Sequence, residues 1–163
     1  MNAAFSQFSK QVTNPLLFRL FMLRKLPAAF VAGLRIRSLT EGSAVVTVRH
    51  KWINQNPFRS MYFAVQSMAA EMSTGLLASG HIHGRTPAVS MLVVGVEATF
   101  FKKVTGLVAF TCAAGETIAM AVAETMQTGE SRTVRCRSVG TNEAGEEVSE
   151  FYITWSFKRR SSK

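Results

Sequence analysis

A chain of 163 residues, 47% hydrophobic and 18% charged, is long enough for one domain with its own core, and these proportions exclude a disordered or fibrous protein. Nineteen basic residues against 10 acidic ones leave a formal charge of +9, which favours an anionic partner such as a nucleic acid, an acidic membrane surface or a phosphate-bearing small molecule. Cys112 and Cys136 form no Cys-x-x-Cys pair and no disulfide framework; each lies in alternating apolar sequence, where a buried free thiol is expected. The first fifteen residues lack the apolar segment and cleavage site of a secretory leader, so a reducing cytoplasm is the expected location.

Asn14 to Val31 reads as a helix, with Asn14 as N-cap, Pro15 at the first helical position and Pro27 ending or bending it. Leu16, Leu17, Leu20, Phe21 and Leu23 give it a broad apolar face expected to pack on a sheet edge or a partner. Residues 1–31 thus form a helical extension within a single domain spanning 1–163. Gly33 to Leu39 and Ser43 to Arg49 make a hairpin about Glu41-Gly42, with Ala44, Val46 and Val48 on one face. A loop of turn formers runs from Trp52 to Phe58. Ser60 is placed to cap a long helix reaching about Ser79, with Gly80 to Gly84 as its stop.

The remainder reads mainly as strand. Ala88 to Lys102 and Gly106 to Cys112 are strands, and Glu116 to Met126 is a short helix. The turn Thr128-Gly129-Glu130 leads into a strand from Arg132 to Val139, and a polar loop from Thr141 to Glu146 precedes the last strand, Val148 to Lys158. There Phe151, Ile153, Trp155 and Phe157 alternate with polar residues, the period of a sheet with one buried face. Strands before and after one greasy helix indicate an α+β class, with an antiparallel sheet curling around that helix. No integral membrane segment is expected. Leu16 to Leu23 is too short for a span, and Met61 to Ser79 carries Gln66, Ser67, Glu71, Ser73 and Thr74.

Between Ser60 and Gly84 the only formally charged side chain is Glu71, among apolar residues on every face of the helix. Burying a carboxylate without partners costs several kcal/mol, so it finds hydrogen bonds or its pKa rises. Either outcome marks a functional-site candidate. The structural alternatives are an arginine partner across a dimer interface or a gap to solvent. Thr74, three residues on, is spaced to reach the carboxylate or a water.

The run from Asn56 to Glu71, Asn-Pro-Phe-Arg-Ser-Met-Tyr-Phe-Ala-Val-Gln-Ser-Met-Ala-Ala-Glu, resembles the loop and helix start of hot-dog thioesterases of the phenylacetate type. That pattern has an Asn, a Gly three residues later, a His-Gly-Gly and an acidic residue seven further on; Asn56 and Glu71 match its first and last members. Asn14-Pro15, Leu26-Pro27-Ala28 and Gly33-Leu34-Arg35-Ile36 look like a bacterial subfamily of the same fold, so the resemblance covers nearly the whole chain. It implies a hot-dog fold, an antiparallel sheet wrapped around one long buried helix, acting as a homodimer or tetramer. It also implies an acyl-CoA thioesterase needing no cofactor beyond the coenzyme A of its substrate.

In that reading Glu71 is general base, or nucleophile through an anhydride, and Asn56 positions the water or thioester. The Phe63 amide polarises the carbonyl, with Ala64, Tyr62, Ser60 and Thr74 around it. The departures are Arg59 at the first glycine and Tyr62-Phe63-Ala64 in place of His-Gly-Gly; Phe63 and Ala64 keep their N–H groups, although Phe63 narrows the approach. The acyl tunnel and coenzyme A cleft of this fold lie at the dimer interface, so each site borrows from both chains.

Two rivals remain. One is a non-catalytic acyl-CoA or fatty-acid binder with a structural Glu71; the other is a dehydratase, for which only His50 precedes the helix. His81-Ile82-His83 would put two imidazoles on one side of a strand, short of a metal site's three or four ligands, so no metal is expected. Lys102, Lys103, Arg132, Arg135, Arg137, Lys158, Arg159 and Arg160 suit coenzyme A phosphates, or else a solvated sheet face and a frayed basic tail. They lack interleaved aromatics, so no nucleic-acid partner is expected.

Overall fold

In the computed structural model, which describes residues 3–160, the helical extension expected over residues 1–31 opens with a helix ahead of Asn14 for which the sequence reading gave no separate bounds. This is α1 (Ala3–Thr13), whose Phe5, Phe8 and Val12 recur at helical spacing and pack toward the core. Asn14 then caps α2 (Pro15–Lys25) as expected, its Oδ1 accepting the N–H groups of Leu16 at 3.1 Å and Leu17 at 3.2 Å. The single helix expected to reach Val31 is two. Pro27 has no N–H to continue the ladder and instead opens α3 (Pro27–Ala32), with Leu26 between them. The face formed by Leu16, Leu17, Leu20, Phe21 and Leu23 is exposed, with Leu16 at 77%, whereas Phe18 and Met22 are the buried residues of α2. Apolar residues lie all round this helix, so its apolar stripe could not be read from spacing.

Gly33 closes α3 in the left-handed conformation (φ +84°), which delays β1 (Arg35–Leu39) by two residues. The other strands are β2 (Ala44–Arg49), β3 (Val89–Phe100), β4 (Leu107–Cys112), β5 (Arg132–Asn142) and β6 (Glu147–Arg159). They form one antiparallel sheet of order β1-β2-β4-β5-β6-β3, leaving β1 and β3 as its edges. On β6 the expected alternation holds, with Phe151, Ile153, Trp155 and Phe157 all buried. Lys158 and Arg159 belong to that strand rather than to a frayed tail, and Arg159 Nη1 donates to the Met126 carbonyl at 3.0 Å. Cys112 and Cys136 are buried free thiols that share a side-chain hydrogen bond and form no disulfide.

The long apolar helix is α4 (Phe63–Ile82). Sheet residues cover it on one side, and α1, α3 and α5 (Gly115–Thr128) pack elsewhere along it. Three buried polar contacts set its rotation against the sheet. Ser149 donates to Gln66 at 2.9 Å, Ser73 and Ser138 share a hydrogen bond at 2.8 Å, and the Trp155 indole donates to Thr74 at 2.9 Å.

Ser60 does not cap this helix. The N-cap is Tyr62, and Ser60 is buried in the preceding loop with its hydroxyl on Asn56 Oδ1 at 3.2 Å. The helix also passes through Gly80 instead of stopping there, because Gly80 is a packing residue: a Cβ at that position would clash with the edge of the Phe5 ring of α1. His81 and His83 therefore lie at the end of a helix and not on a strand. His81 Nε2 is 2.9 Å from the Glu41 carbonyl oxygen, and the His83 ring packs on Phe8 at 5.3 Å between centroids.

Gly80→Val should destabilise the protein by roughly 1–3 kcal/mol, because a side chain there must displace Phe5 and lift α1. Thermal melts combined with amide exchange test this. The expected result is a lower midpoint with protection lost first in residues 3–13; an unchanged midpoint would mean that α1 does not seat on Gly80.

Candidate active site

Glu71 lies eight residues into α4 and opens onto a cavity of about 640 Å³. It is half-buried, and its carboxylate has no hydrogen bond or ion pair with any described residue. Burial alone pushes its pKa above the ordinary 4.5, since the anion gives up water without gaining a partner.

Room for the carboxylate comes from Gly75, one turn further along. A Cβ at Gly75 would stand 3.3 Å from Glu71 Oε1 and 3.2 Å from Trp155 Cζ2. Trp155 in turn is held through its indole N–H on Thr74. The Thr74 hydroxyl donates to the Glu71 main-chain carbonyl at 2.9 Å, so its proton goes to the backbone and not to the carboxylate. Thr74 thus bears on the site through Trp155, and the immediate neighbours of the acid are Gly75 and Trp155, which sequence reasoning missed. A usable signal existed for Gly75. Glycine in a helix interior costs about 0.5–1 kcal/mol relative to alanine, so one placed four residues after a lone acid calls for a packing reason.

Asn56 sits in a tight turn ahead of α4. Its Oδ1 accepts the N–H of Phe58 at 3.0 Å, the N–H of Ser60 at 3.2 Å and the Ser60 hydroxyl. Arg59, at the position where the thioesterase pattern has glycine, takes φ +58°, so the turn keeps a left-handed backbone even though the side chain differs. With two backbone donors fixing the Asn56 oxygen, its Nδ2 is left without an acceptor among the described residues.

The chain then enters α4, with the Tyr62 N–H on the Asn54 carbonyl at 2.9 Å and the Met61 N–H on the Val104 carbonyl at 2.8 Å. The next two N–H groups, of Phe63 and Ala64, begin the helix and have no acceptor among the described residues. The rings of Tyr62 and Phe63 meet edge to face at 4.8 Å, and both are exposed. A smaller cavity of about 370 Å³ joins Asn56, Ser60 and Phe63 to Lys102 and Lys103.

These two groups do not meet within one chain. Phe63 and Glu71 are separated by eight residues of one helix, about 12 Å of rise. A base and an oxyanion donor must both approach one reacting group to about 3 Å. His50 offers no substitute: its Nδ1 pairs with the Thr105 carbonyl at 3.3 Å and it lines neither cavity.

Of the basic residues, Arg135 pairs with Glu97 and Arg137 with Glu147 and Glu150, which makes the outer side of β5 a solvated ionic face, while Arg132 at the start of the strand pairs with Glu124 of α5 and with Glu130. Lys102 pairs with Glu146, while Lys103 has no carboxylate partner among the described residues. Among those residues no three His, Cys, Asp or Glu side chains gather as a metal site, and no helix is long and apolar enough to cross a membrane.

The DUF4442 family, described as a domain of unknown function, matches residues 15–157. The chain belongs to that family. No curated protein matches its sequence. Solved structures share its fold. One, a protein of unknown function from Chlorobaculum tepidum, is 18% identical with a TM-score of 0.79, over 98% of this chain and 100% of the other. Another, from Pseudomonas aeruginosa and described as a "probable thioesterase", is 19% identical with a TM-score of 0.75, over 92% and 99%. A thioesterase from Haemophilus influenzae is 14% identical with a TM-score of 0.62, over 86% and 88%. At these identities the likeness establishes the hot-dog fold, as the sequence led one to expect. Within the DUF4442 match lie α2 to α5 and every strand except the last two residues of β6, while α1 precedes it.

Because Glu71 ionises less readily in the folded chain than in the unfolded one, stability is lost as pH rises from the ordinary 4.5 through the raised value. Below 4.5 the group is protonated in both states and subtracts nothing. Glu71→Gln should therefore melt above wild type by about 2–4 °C near pH 8 for each kcal/mol relieved, with the gap closing toward pH 4. A pH series of thermal melts decides it; a gap that is constant with pH, or a less stable variant near pH 8, would contradict the unpaired carboxylate.

Proposed function

We propose that this protein hydrolyses acyl-CoA thioesters as a homodimer, each site combining Glu71 of one copy with Asn56, Phe63 and Ala64 of the other. The observation that carries this reading is the unpaired, half-buried carboxylate of Glu71, with its raised pKa, at the edge of an apolar cavity. The thioesterase descriptions of structures sharing the fold support the reaction class.

Ionised Glu71 takes a proton from water as the water oxygen attacks the thioester carbon. The oxyanion formed from the carbonyl accepts hydrogen bonds from the free N–H groups of Phe63 and Ala64, where the helix dipole adds positive potential. Collapse expels the coenzyme A thiolate, which recovers the proton from Glu71, and the free acid leaves. Asn56 Nδ2 is the available donor for the water or the carbonyl. Ser60 acts by holding Asn56 in place, and Tyr62 borders the entrance. Lys103 and Arg59 are unpaired cations near the helix start, suited to the coenzyme A phosphates.

Two features support the homodimer. The first is the separation of the two groups within one chain. The second is β3, a twelve-residue edge strand with Leu92 at 66% exposure and Val94 and Val96 each at 54%. Such an edge calls for a cover. Twofold pairing along β3 runs the two α4 helices antiparallel, turning each Glu71 toward the other Phe63. The free thiols of Cys112 and Cys136 suit a reducing cytoplasm. A non-catalytic acyl-CoA binder is the second reading, favoured by the Phe63 side chain crowding the helix start.

The test is free-thiol release from short-, medium- and long-chain acyl-CoAs. Glu71→Gln should lower kcat by about 10²–10⁴-fold while ligands still stabilise the protein. Phe63→Pro removes one N–H at a position where proline fits, following Tyr62 at φ −62° and ψ 134°. It should lose about 10²–10³-fold, whereas Phe63→Ala keeps most of the rate. Equal rates for the two Phe63 variants would remove the oxyanion role, and ligand stabilisation without any turnover would favour the binder.

A further inference from the structure

The cavity beside Glu71 has the N-terminal extension as one of its walls. Along α4 its lining runs from Glu71 through Met72, Gly75, Leu76 and Ser79, and continues to His83 at the helix end. That stretch spans twelve residue steps, about 18 Å of rise. Opposite stand Phe8 and Val12 of α1 with Leu17 and Phe21 of α2, while Met91 and Trp155 belong to the sheet. Spreading about 640 Å³ over about 18 Å leaves a mean cross-section near 36 Å². The cavity is therefore an elongated slot, open on one side, with a carboxylate at one end and a mostly apolar lining beyond it in which Gln11, Ser79 and His83 are the polar members. One unbranched chain of methylenes can run the length of such a cavity, whereas a compact ring would leave most of its length empty. A zigzag chain advances about 1.3 Å per carbon–carbon bond, and with the thioester carbon standing about 3 Å from Glu71 about a dozen carbons reach to His83.

We propose that α1 and α2 build an acyl-chain site for straight-chain fatty acyl groups of about a dozen carbons. Leu17 and Phe21 form its outer wall, and the space between Ser79 and His83 sets the length it accepts. The assignment rests on the reading of Glu71 as the thioester end of the site. The two leucine-and-phenylalanine positions of α2 are the accessible ones, because Phe18 and Met22 anchor that helix to the core. Their exposure has a use here: residues that close a slot from outside have one face on the ligand and one on solvent. Ser79 is the position at which a larger side chain would constrict the slot, since its small side chain, on Met91 Sδ at 3.7 Å, leaves the slot open toward His83.

The experiment uses the full-length protein and two readouts. Displacement of a dansyl-labelled fatty acid by a homologous series of straight-chain alkanoic acids measures the slot without requiring turnover. Thiol release from the matching acyl-CoAs measures the reaction. Affinity should rise by about fourfold per methylene and level off near twelve carbons. Ser79→Phe should bring the plateau about five carbons earlier, because Ser79 lies four residues, about 6 Å, short of His83. The double variant Leu17→Gln with Phe21→Gln, at exposed positions that do not hold the fold, should reduce the preference for dodecanoyl over butyryl by at least about tenfold.

Displacement that follows this pattern without thiol release from any acyl-CoA would uphold the slot and sink the thioesterase reading. Thiol release with a chain-length profile that neither variant moves would overturn the slot and leave the reaction standing. A change of oligomeric state in the α2 variants, with an unchanged profile, would also overturn it by assigning α2 to contact with a second copy.

Discussion

A helix that is apolar on every side has to be enclosed, and the enclosure of α4 is the constraint on which the rest of the structure depends. The sheet supplies one side and the smaller helices close the others. Hydrophobic burial alone would leave the helix free to rotate about its axis, because each face is much like the next. The pairs Gln66–Ser149, Ser73–Ser138 and Thr74–Trp155 remove that freedom. Each contributes only about 0.5–1.5 kcal/mol net, but rotating the helix would leave six buried polar groups unpaired, at about 1–3 kcal/mol each. Rotation being set, Glu71 emerges beside Gly75 and Trp155 and nowhere else.

The same constraint separates the chemistry into two parts. At the start of α4, the turn held by Asn56 presents two free N–H groups; eight residues later the carboxylate stands in an apolar surrounding. Each part is poised and incomplete. The N–H groups carry partial positive charge with no acceptor, and the carboxylate carries a desolvation penalty with no cation. A second copy placed antiparallel would offset both, which connects the electrostatics of the site to the exposed edge of β3.

How much of this was legible in the sequence depended on whether a local rule or a distant contact decided the matter. Asn14 and Pro15 obey rules contained in four consecutive residues, and the capped start of α2 was readable. The alternation from Phe151 to Phe157 reports a one-sided sheet, and it was readable as well. Glu71 stood out because a charge in an all-apolar helix has no local explanation. Ser60 misled because a serine before a helix looks like a cap until the loop before it claims the hydroxyl for Asn56. Gly80 misled in a similar way: a glycine that reads as a stop is a seat for Phe5, seventy-five residues earlier in the chain. Thr74 and Gly75 are adjacent in sequence, and only the position of Trp155, from the last strand, decides which of them stands beside the carboxylate.

The central claim is that one working site needs residues from two copies. Its most direct test pairs a Glu71→Gln chain with a Phe63→Pro chain, each inactive by itself, and isolates the mixed dimer through two different affinity tags. If the site is shared, one of its two sites has both residues intact, and the mixed dimer recovers about half of the wild-type rate. If Glu71 and Phe63 served the same site within a single chain, both sites would carry a lesion, and a mixed dimer as inactive as its parents would contradict the account.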